Sequence, residues 1–252
     1  MNPLSRPGVI GLISLVLLWL SAQLGAYLER RWRPLERRER ETFGVELGAT
    51  LSLLALIIGF SFSMAISRYD QRKDYEESEA NAIGTEYLRV ELLPAATADK
   101  AKDLLRRYLD QRIAFYEEPH EQDVGPIDDR TAELQREMWS VVQSVAAVQP
   151  TPIVGLAASG MNDVLNSQGY TQAAWRNRIP EAAWILMIAI ALCCCALIGY
   201  SAHAARPSLL VILPVILSIA FFLVAEIDSP RHGIIRVYPE NLVSLADSLR
   251  AH

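Results

Sequence analysis

The chain has 252 residues with three cysteines and a net charge of −5, and it is 51% hydrophobic and 21% charged. The length and the few cysteines exclude a disulfide-stapled mini-protein, and the apolar content excludes a disordered chain. A pI near 5.5 argues against a basic nucleic-acid binder. These averages suit a soluble protein, but they conceal how unevenly the charges are placed.

Four long runs contain no charged residue at all. They are 7–28, 47–67, 182–202 and 207–225. A helix needs about 20 apolar residues to cross a bilayer, and hydrocarbon requires every backbone amide to be satisfied internally. The rest of the chain is too short to bury four such runs, so they predict membrane-spanning helices. The first run can alternatively be interpreted as a signal peptide, with Arg6 before it and Ser21-Ala22-Gln23 near a cleavage site.

The predicted fold is an all-α polytopic membrane protein with four transmembrane helices and a helical bundle inserted between the second and third. Residues 1–67 hold helices 1 and 2 (about 7–28 and 47–67) and an Arg-rich loop, 29–46; residues 68–179 form the extramembrane bundle; residues 180–227 hold helices 3 and 4 (about 180–202 and 207–227); residues 228–252 form a C-terminal tail with a short helix.

Four spans place both termini on the same side of the membrane. The opposite side has two short loops, which contain Arg30, Arg31, Arg33, Arg37, Arg38, Arg40 and Arg206. The positive-inside rule counts short loops, so it favours a cytoplasmic 29–46 loop and an outside bundle. Basic residues also flank the membrane ends of the bundle, and the sequence leaves the orientation open.

The bundle is predicted from caps, breaks and apolar stripes. Residues 68–92 continue the second span as a helix, and Thr97 caps a second helix that runs to Glu118. A polar linker, 119–127, leads to a third helix, which Asp128 caps and which runs to Gln149. A fourth helix starts near Ile153, and Pro239 opens a C-terminal helix, 239–249. Leu104, Leu105, Tyr108, Leu109, Ile113 and Phe115 form one stripe, and Leu134, Met138, Val141, Val142 and Val145 form another. No stretch of any length alternates like a strand.

Motifs for catalysis or cofactor binding are not found, so the sequence predicts no enzyme, no cofactor and no metal site. Cys193, Cys194 and Cys195 point in different directions on one helix and cannot jointly ligate a metal. Glu79 and Glu86 share a helix face, either as an acid–base pair or, more commonly, as a solvated or ion-paired face. After the last span, Asp228, Arg231 and Arg236 suggest a salt-bridge cluster or an ion-binding vestibule.

The second span carries a small, hydroxylated side made of Thr50, Ser52, Gly59, Ser61, Ser63 and Ser67. Such a side suits close helix packing. It also suits a pore, because Leu53, Ile57 and Phe60 repeat at i, i+4 and i+7 and would stack as apolar rings in an oligomer. Apolar rings gate ion flow by dewetting, and Arg68 and Arg72 would then place basic rings at the pore mouth.

Two motifs carry a family resemblance. Gly59-Phe60-Ser61, Ser67-Arg68-Tyr69, Arg72, Glu79, Asn81, Glu86 and Tyr87-Leu88-Arg89 form the first; Ile227-Asp228-Ser229-Pro230-Arg231, Ile235-Arg236-Val237 and Pro239-Glu240-Asn241 form the second. Together with the layout of the spans they resemble an uncharacterised bacterial membrane family described as bestrophin-like, with remote similarity to bestrophin ion channels. Tyr69-Asp70-Gln71 stands where bestrophins have a Trp-rich signature.

The resemblance implies a function. Bestrophins are pentameric ion channels whose second span lines the pore, which implies Leu53, Ile57 and Phe60 as a constriction, with Ser63 and Ser67 further along. It implies a bacterial inner-membrane homo-oligomer, a pentamer if bestrophin-like, whose partners are the lipid bilayer and ions, with no nucleic acid. The alternative is a non-conducting membrane sensor or scaffold whose helical bundle binds a ligand or a partner protein.

Overall fold

A computed structural model of the chain describes residues 7–31, 37–201 and 210–251. The helices are α1 (Pro7–Arg31), α2 (Arg37–Arg89), α3 (Ala95–Glu117), α4 (Val124–Val148), α5 (Pro152–Arg176), α6 (Glu181–Ser201), α7 (Ile212–Asp228) and α8 (Glu240–Arg250), with short 3₁₀ turns at Val90–Leu92 and Glu121–Asp123. The described residues contain no strand. The all-α prediction is therefore confirmed.

Three helical stretches are long and apolar enough to cross a membrane: Pro7–Arg31, Thr42–Leu92 and Pro152–Ser201. The fourth predicted span corresponds to α7, which has 17 residues and is about 26 Å long at 1.5 Å per residue. The beginning of that span, and the loop 203–206 before it, lie outside the described residues. The four-span topology therefore stays a prediction.

Three predicted boundaries differ from the structure. The Arg-rich loop was expected to reach residue 46, but α2 already begins at Arg37. Thr97 does not cap α3, because the helix begins at Ala95, directly after Pro94. Asp128 does not cap α4, because Gly125 and Pro126 lie in its first turn rather than in a linker. Proline is accepted in a first turn because its missing N–H has no partner there in any helix.

Residues 1–67 and 178–235 form one compact unit, here called the membrane unit. Its core joins α1, α2, α6 and α7 through Leu18, Ala22, Leu54, Met187, Ala191, Cys194, Cys195, Leu217 and Phe221. Two glycines bring α1 and α6 together: a Cβ at Gly25 would overlap the Ala196 carbonyl, and one at Gly199 would overlap the Ala22 carbonyl. Small residues allow this close approach of helix backbones.

Residues 68–177 and 236–252 form the second compact unit, here called the helical unit. Its core is built from the predicted stripes of α3 and α4, from Val154, Ala157, Met161 and Val164 of α5, and from Leu242 and Ala246 of α8. Ile113 is the one member of those stripes that is only partly buried. At the start of α5 the Thr151 side chain accepts a hydrogen bond from the N–H of Val154, as an N-cap does.

Candidate functional site

The membrane half of α2, up to Ser67, has one packed face and a broad open surface. Leu54 is 1% exposed and belongs to the core of the membrane unit, and Ser61 and Ala65 are also buried. Of the predicted constriction, Leu53 is 49% exposed and Phe60 is 65% exposed, while Ile57 packs partly against the core. The three residues therefore lie on the flank of the packed face, with Phe60 fully outside it.

The polar residues of this half are mostly open as well. Gly59, Ser63 and Ser67 are exposed, and a side chain added at Gly59 would meet no atom within 4 Å. Nearer the start of α2, the hydroxyls of Thr50 and Ser52 donate to the backbone carbonyls of Glu46 and Gly48, one turn earlier, at 2.8 and 2.9 Å. These internal bonds satisfy the two hydroxyls without a neighbouring helix.

Past Ser67, α2 enters the helical unit, and Arg72 behaves differently from expectation. Its side chain is 1% exposed, and its guanidinium donates to the carbonyl oxygens of Ala174 and Asn177, both at 3.3 Å. These carbonyls end α5, where the helix dipole favours a cation. Arg72 therefore does not offer an open basic ring at a pore mouth, whereas Arg68 is only half-buried.

The inner face of this half of α2 is a stripe of buried charged residues, here called the polar stripe: Arg72, Glu76, Glu79 and Glu86. Glu76 receives the beginning of α8. Its carboxylate accepts hydrogen bonds from the N–H groups of Asn241 (3.0 Å) and Leu242 (2.9 Å) and from the Asn241 side chain (2.6 Å). A carboxylate placed there satisfies donors that a helix leaves free at its N-terminus.

Glu79 forms a buried ion pair with Arg112 of α3, and both side chains are fully buried. Its carboxylate also accepts from the hydroxyls of Thr171 (3.0 Å) and Tyr116 (3.4 Å). Burial opposes the charge of Arg112, yet the adjacent Glu79 carboxylate leaves the pKa of Arg112 raised. Burial, and then Glu79, raise the pKa of Tyr116. The sequence left Glu79 either as half of an acid–base pair or on a solvated or ion-paired face, and the structure shows it ion-paired.

Glu86 is fully buried too, but neither carboxylate oxygen has a hydrogen-bond partner among the described residues. It faces Gly160 of α5, where an added Cβ would overlap its carboxylate. The expectation of a solvated or ion-paired face is wrong for Glu86. The cause is that α5 covers this turn of α2 and presents a glycine to it.

An open groove of about 730 Å³ lies between α2 and α8 in the helical unit. Asn81, Gly84, Thr85, Leu88 and Arg89 line one wall, and Asn241, Ser244, Leu245 and Ser248 line the other. Four residues of the two family motifs, Asn81, Leu88, Arg89 and Asn241, thus line this groove together. Tyr69 of the first motif packs against the core of the same unit.

The tail motif begins inside the membrane unit. Both oxygens of Asp228 accept from the backbone N–H of Ile179, each at 3.1 Å, just before α6 begins. Glu226 accepts from the N–H of Ile234 at 2.8 Å, and Gly233 leaves room for its carboxylate. Pro230 is buried in the same turn, whereas Arg236 is half-buried and belongs to the helical unit.

One group of side chains in the described part of the chain has metal-ligating chemistry. Glu118, His120 and Asp123 bring three ligand atoms within 4.8 Å of one another, in the connection between α3 and α4. The group is largely exposed, and exposed acidic groups are common without a metal. Cys194 and Cys195 are buried in the core of the membrane unit, whereas Cys193 is exposed.

Sequence reasoning missed Glu76, Arg112 and Thr171. The signal for Glu76 was present, because residues 72, 76, 79, 83, 86 and 90 recur at the helical spacing of three and four and share one face. The polar members of that pattern suggested solvent rather than a core. Arg112 and Thr171 lie far from Glu79 in sequence, and only the fold brings them to it.

No match was found among curated proteins. A crystal structure of a bacterial bestrophin homologue from Klebsiella pneumoniae matches with a TM-score of 0.63 at 15% identity, covering 94% of this chain and 95% of that chain. A mutant of a bestrophin homologue from the same organism matches with a TM-score of 0.64 at 15% identity, covering 96% and 94%. The family model of the Bestrophin-like domain matches residues 16–242, which confirms the resemblance: the chain belongs to the Bestrophin-like domain family.

Proposed function

We propose that the protein is an oligomeric ion channel in which the second transmembrane helix lines the pore. The observation that carries the proposal is the open surface of α2 between Leu53 and Ser67. A single chain leaves Phe60 and the small residues Gly59, Ser63 and Ser67 uncovered in the charge-free part of α2, residues 47–67. Copies of the chain around an axis would cover this surface.

The chemistry of the open surface favours a pore over lipid. Lipid tails give no advantage to hydroxyls, whereas a water-filled path accepts serine side chains and narrows at bulky apolar ones. Leu53, Ile57 and Phe60 would form the constriction, and Ser63 and Ser67 would line the wider part beyond it. Arg68 is the basic residue left for the mouth, since the Arg72 guanidinium is buried against α5 carbonyls.

The proposal extends to the subunit number, which rests on the family resemblance. Bestrophins are pentamers, so we propose a homopentamer in the bacterial inner membrane, with both termini on one side. The mass of the detergent-solubilised particle, after subtraction of the detergent, tests this directly. A ring of five is expected, and a monomer or dimer would contradict the proposal.

Ion flux from proteoliposomes is the decisive measurement, and Phe60→Ala is the variant to use. Removing the ring widens and wets the constriction, so flux is expected to rise several-fold. Phe62→Ala is a matched control, because it lies on the same helix about 200° around from Phe60. Equal flux from both variants would place the constriction elsewhere, and no flux from a well-folded oligomer in either orientation would reject the channel.

The second candidate is a non-conducting sensor or scaffold, and the groove between α2 and α8 is the observation that favours it. Its walls offer a guanidinium, amides and hydroxyls beside exposed leucines, which is a composition suited to a polar ligand or a peptide. A well-folded monomer without flux that binds a ligand at this groove would favour this candidate.

A further inference from the structure

The three glutamates of the polar stripe are satisfied unequally. Glu76 accepts three hydrogen bonds from α8, and Glu79 is paired with Arg112 and accepts from Thr171. Glu86 is equally buried and accepts none among the described residues. A buried carboxylate without a partner is costly when it is charged and much less so when it carries a proton.

The space around Glu86 is made by a glycine of the neighbouring helix. A Cβ at position 160 would overlap both the Glu86 carboxylate and the Arg89 guanidinium. Gly160 is itself buried inside α5, where glycine is unfavourable by about 1 kcal/mol relative to alanine. The contact between α2 and α5 at this turn therefore requires a residue without a side chain.

Two charged groups face Glu86. Arg89 lies one turn further along α2, and Asp163 lies one turn beyond Gly160 on α5. The Arg89 Nη1 is 3.8 Å from the Asp163 carboxylate, and the two side chains are 29% and 60% exposed. Arg89 thus stands between a buried carboxyl group on its own helix and a hydrated carboxylate on the facing helix.

Burial dominates the ionisation of Glu86. Desolvation raises its pKa from 4.5 to about 8, Arg89 works against this, and Asp163 adds to it. The carboxyl group is therefore protonated at neutral pH. Loss of the proton creates a negative charge in a buried contact, and among the described residues Arg89 is the cation that acts to lower the pKa of Glu86.

We propose that Glu86 is a proton-binding site that keeps α2 and α5 packed at Gly160 while the proton is bound, and that loss of the proton shifts the Arg89 guanidinium, which already borders this contact, away from Asp163 and toward the Glu86 carboxylate. The ligand is the proton itself, and the reaction is a simple dissociation to bulk water. The changed position of Arg89 also alters the groove between α2 and α8, since Arg89 is part of its wall.

Infrared difference spectroscopy of the full-length protein in detergent tests the proton site. The C=O stretch of a protonated carboxylic acid is expected to disappear as the pH is raised through about 8. The band should be absent in Glu86→Gln and kept in Glu77→Gln, an exposed glutamate of the same helix. A titrating band that survives in Glu86→Gln, or no band at all in the wild type, would overturn the proposal.

Amide hydrogen exchange tests the consequence for packing. After correction for the intrinsic pH dependence, amides of α5 near Gly160 should lose protection at a pH well above 8 relative to one well below it. Glu86→Gln should abolish this loss. Asp163→Asn should move it to lower pH, because it frees Arg89 to stabilise the charged carboxylate. Unchanged protection in the wild type would refute the switching of the contact.

The melting temperature supplies a third readout. The folded protein holds the Glu86 proton more tightly than the unfolded chain, so it loses stability as the pH rises from 4.5 to about 8. Glu86→Gln has no proton to lose, and its melting temperature should exceed that of the wild type by a margin that grows across this interval and then levels off. A constant margin would contradict the proposal. All three readouts hold whether or not the protein conducts ions.

Discussion

The two halves of α2 reverse the usual placement of residues. Up to Ser67 the helix leaves Leu53 and Phe60 exposed and carries no charge from Leu47 onward. From Arg68 it buries Arg72 and three glutamates instead. Exposure therefore has to be judged against the surroundings of each half. The first half is apolar and suited to a membrane, and the second uses charges to join helices whose backbone ends and side chains need partners.

The largest expected effect concerns the ion pair between Glu79 and Arg112, in the part of α2 that follows Ser67. Glu79→Ala leaves Arg112 charged and buried, and we expect the free energy of unfolding to fall by about 3–5 kcal/mol. Chemical denaturation of the solubilised protein measures this. Asp103→Ala, which breaks an exposed contact with Arg107, is the control and should cost at most about 1 kcal/mol. Similar losses of unfolding free energy in both variants would mean that burial does not determine how much the Glu79–Arg112 pair contributes to stability.

The membrane unit, to which the first half of α2 belongs, is tested through glycines that differ in their surroundings. Gly25→Ala would press a methyl group against the Ala196 carbonyl of α6, and since backbone cannot move aside cheaply we expect a loss of about 1–3 kcal/mol. Gly48→Ala adds the same methyl group where no atom lies within 4 Å, and helix propensity should make it neutral or slightly stabilising. Thermal denaturation in detergent compares the two. Equal behaviour would show that α1 and α6 do not depend on close backbone contact.

The smallest expected effect concerns Glu76, the residue of the polar stripe that binds the first turn of α8. Glu76→Ala removes three hydrogen bonds from the first turn of that helix, which should cost about 0.5–2 kcal/mol and fray the turn. Hydrogen exchange at Asn241 and Leu242 reports the fraying. Glu77→Ala, one residue away and exposed, should leave both amides protected.

The sequence was sufficient for the helical class and for the part of the core that α3 and α4 supply. Charge-free runs mark membrane helices by composition alone, and the stripes of α3 and α4 follow from helical spacing, so these predictions needed no tertiary information. Starts of helices were less predictable: Thr97 and Asp128 are good caps by residue type, yet α3 and α4 begin earlier because Pro94 and Pro126 fix the backbone first.

The candidate sites also differ in how far they could be predicted: a pattern within one helix was visible in the sequence, and a contact made by a second helix was not. The stripe of Leu53, Ile57 and Phe60 follows from spacing within one helix, so it was visible as a pattern, and its role as a constriction stays a prediction. The state of a buried charge depends on what another helix brings to it. Glu79 and Glu86 look alike in sequence, but one meets Arg112 and the other meets Gly160, and neither partner is close to them along the chain.

The reciprocal glycine contacts of α1 and α6 limit how the membrane unit can deform. Gly25 receives the Ala196 carbonyl, and Gly199 receives the Ala22 carbonyl, so each backbone occupies the notch left by the other's missing side chain. Sliding one helix along the other would drive a neighbouring side chain into a carbonyl. The close fit therefore holds α1 and α6 in one register, and the two helices can only move together.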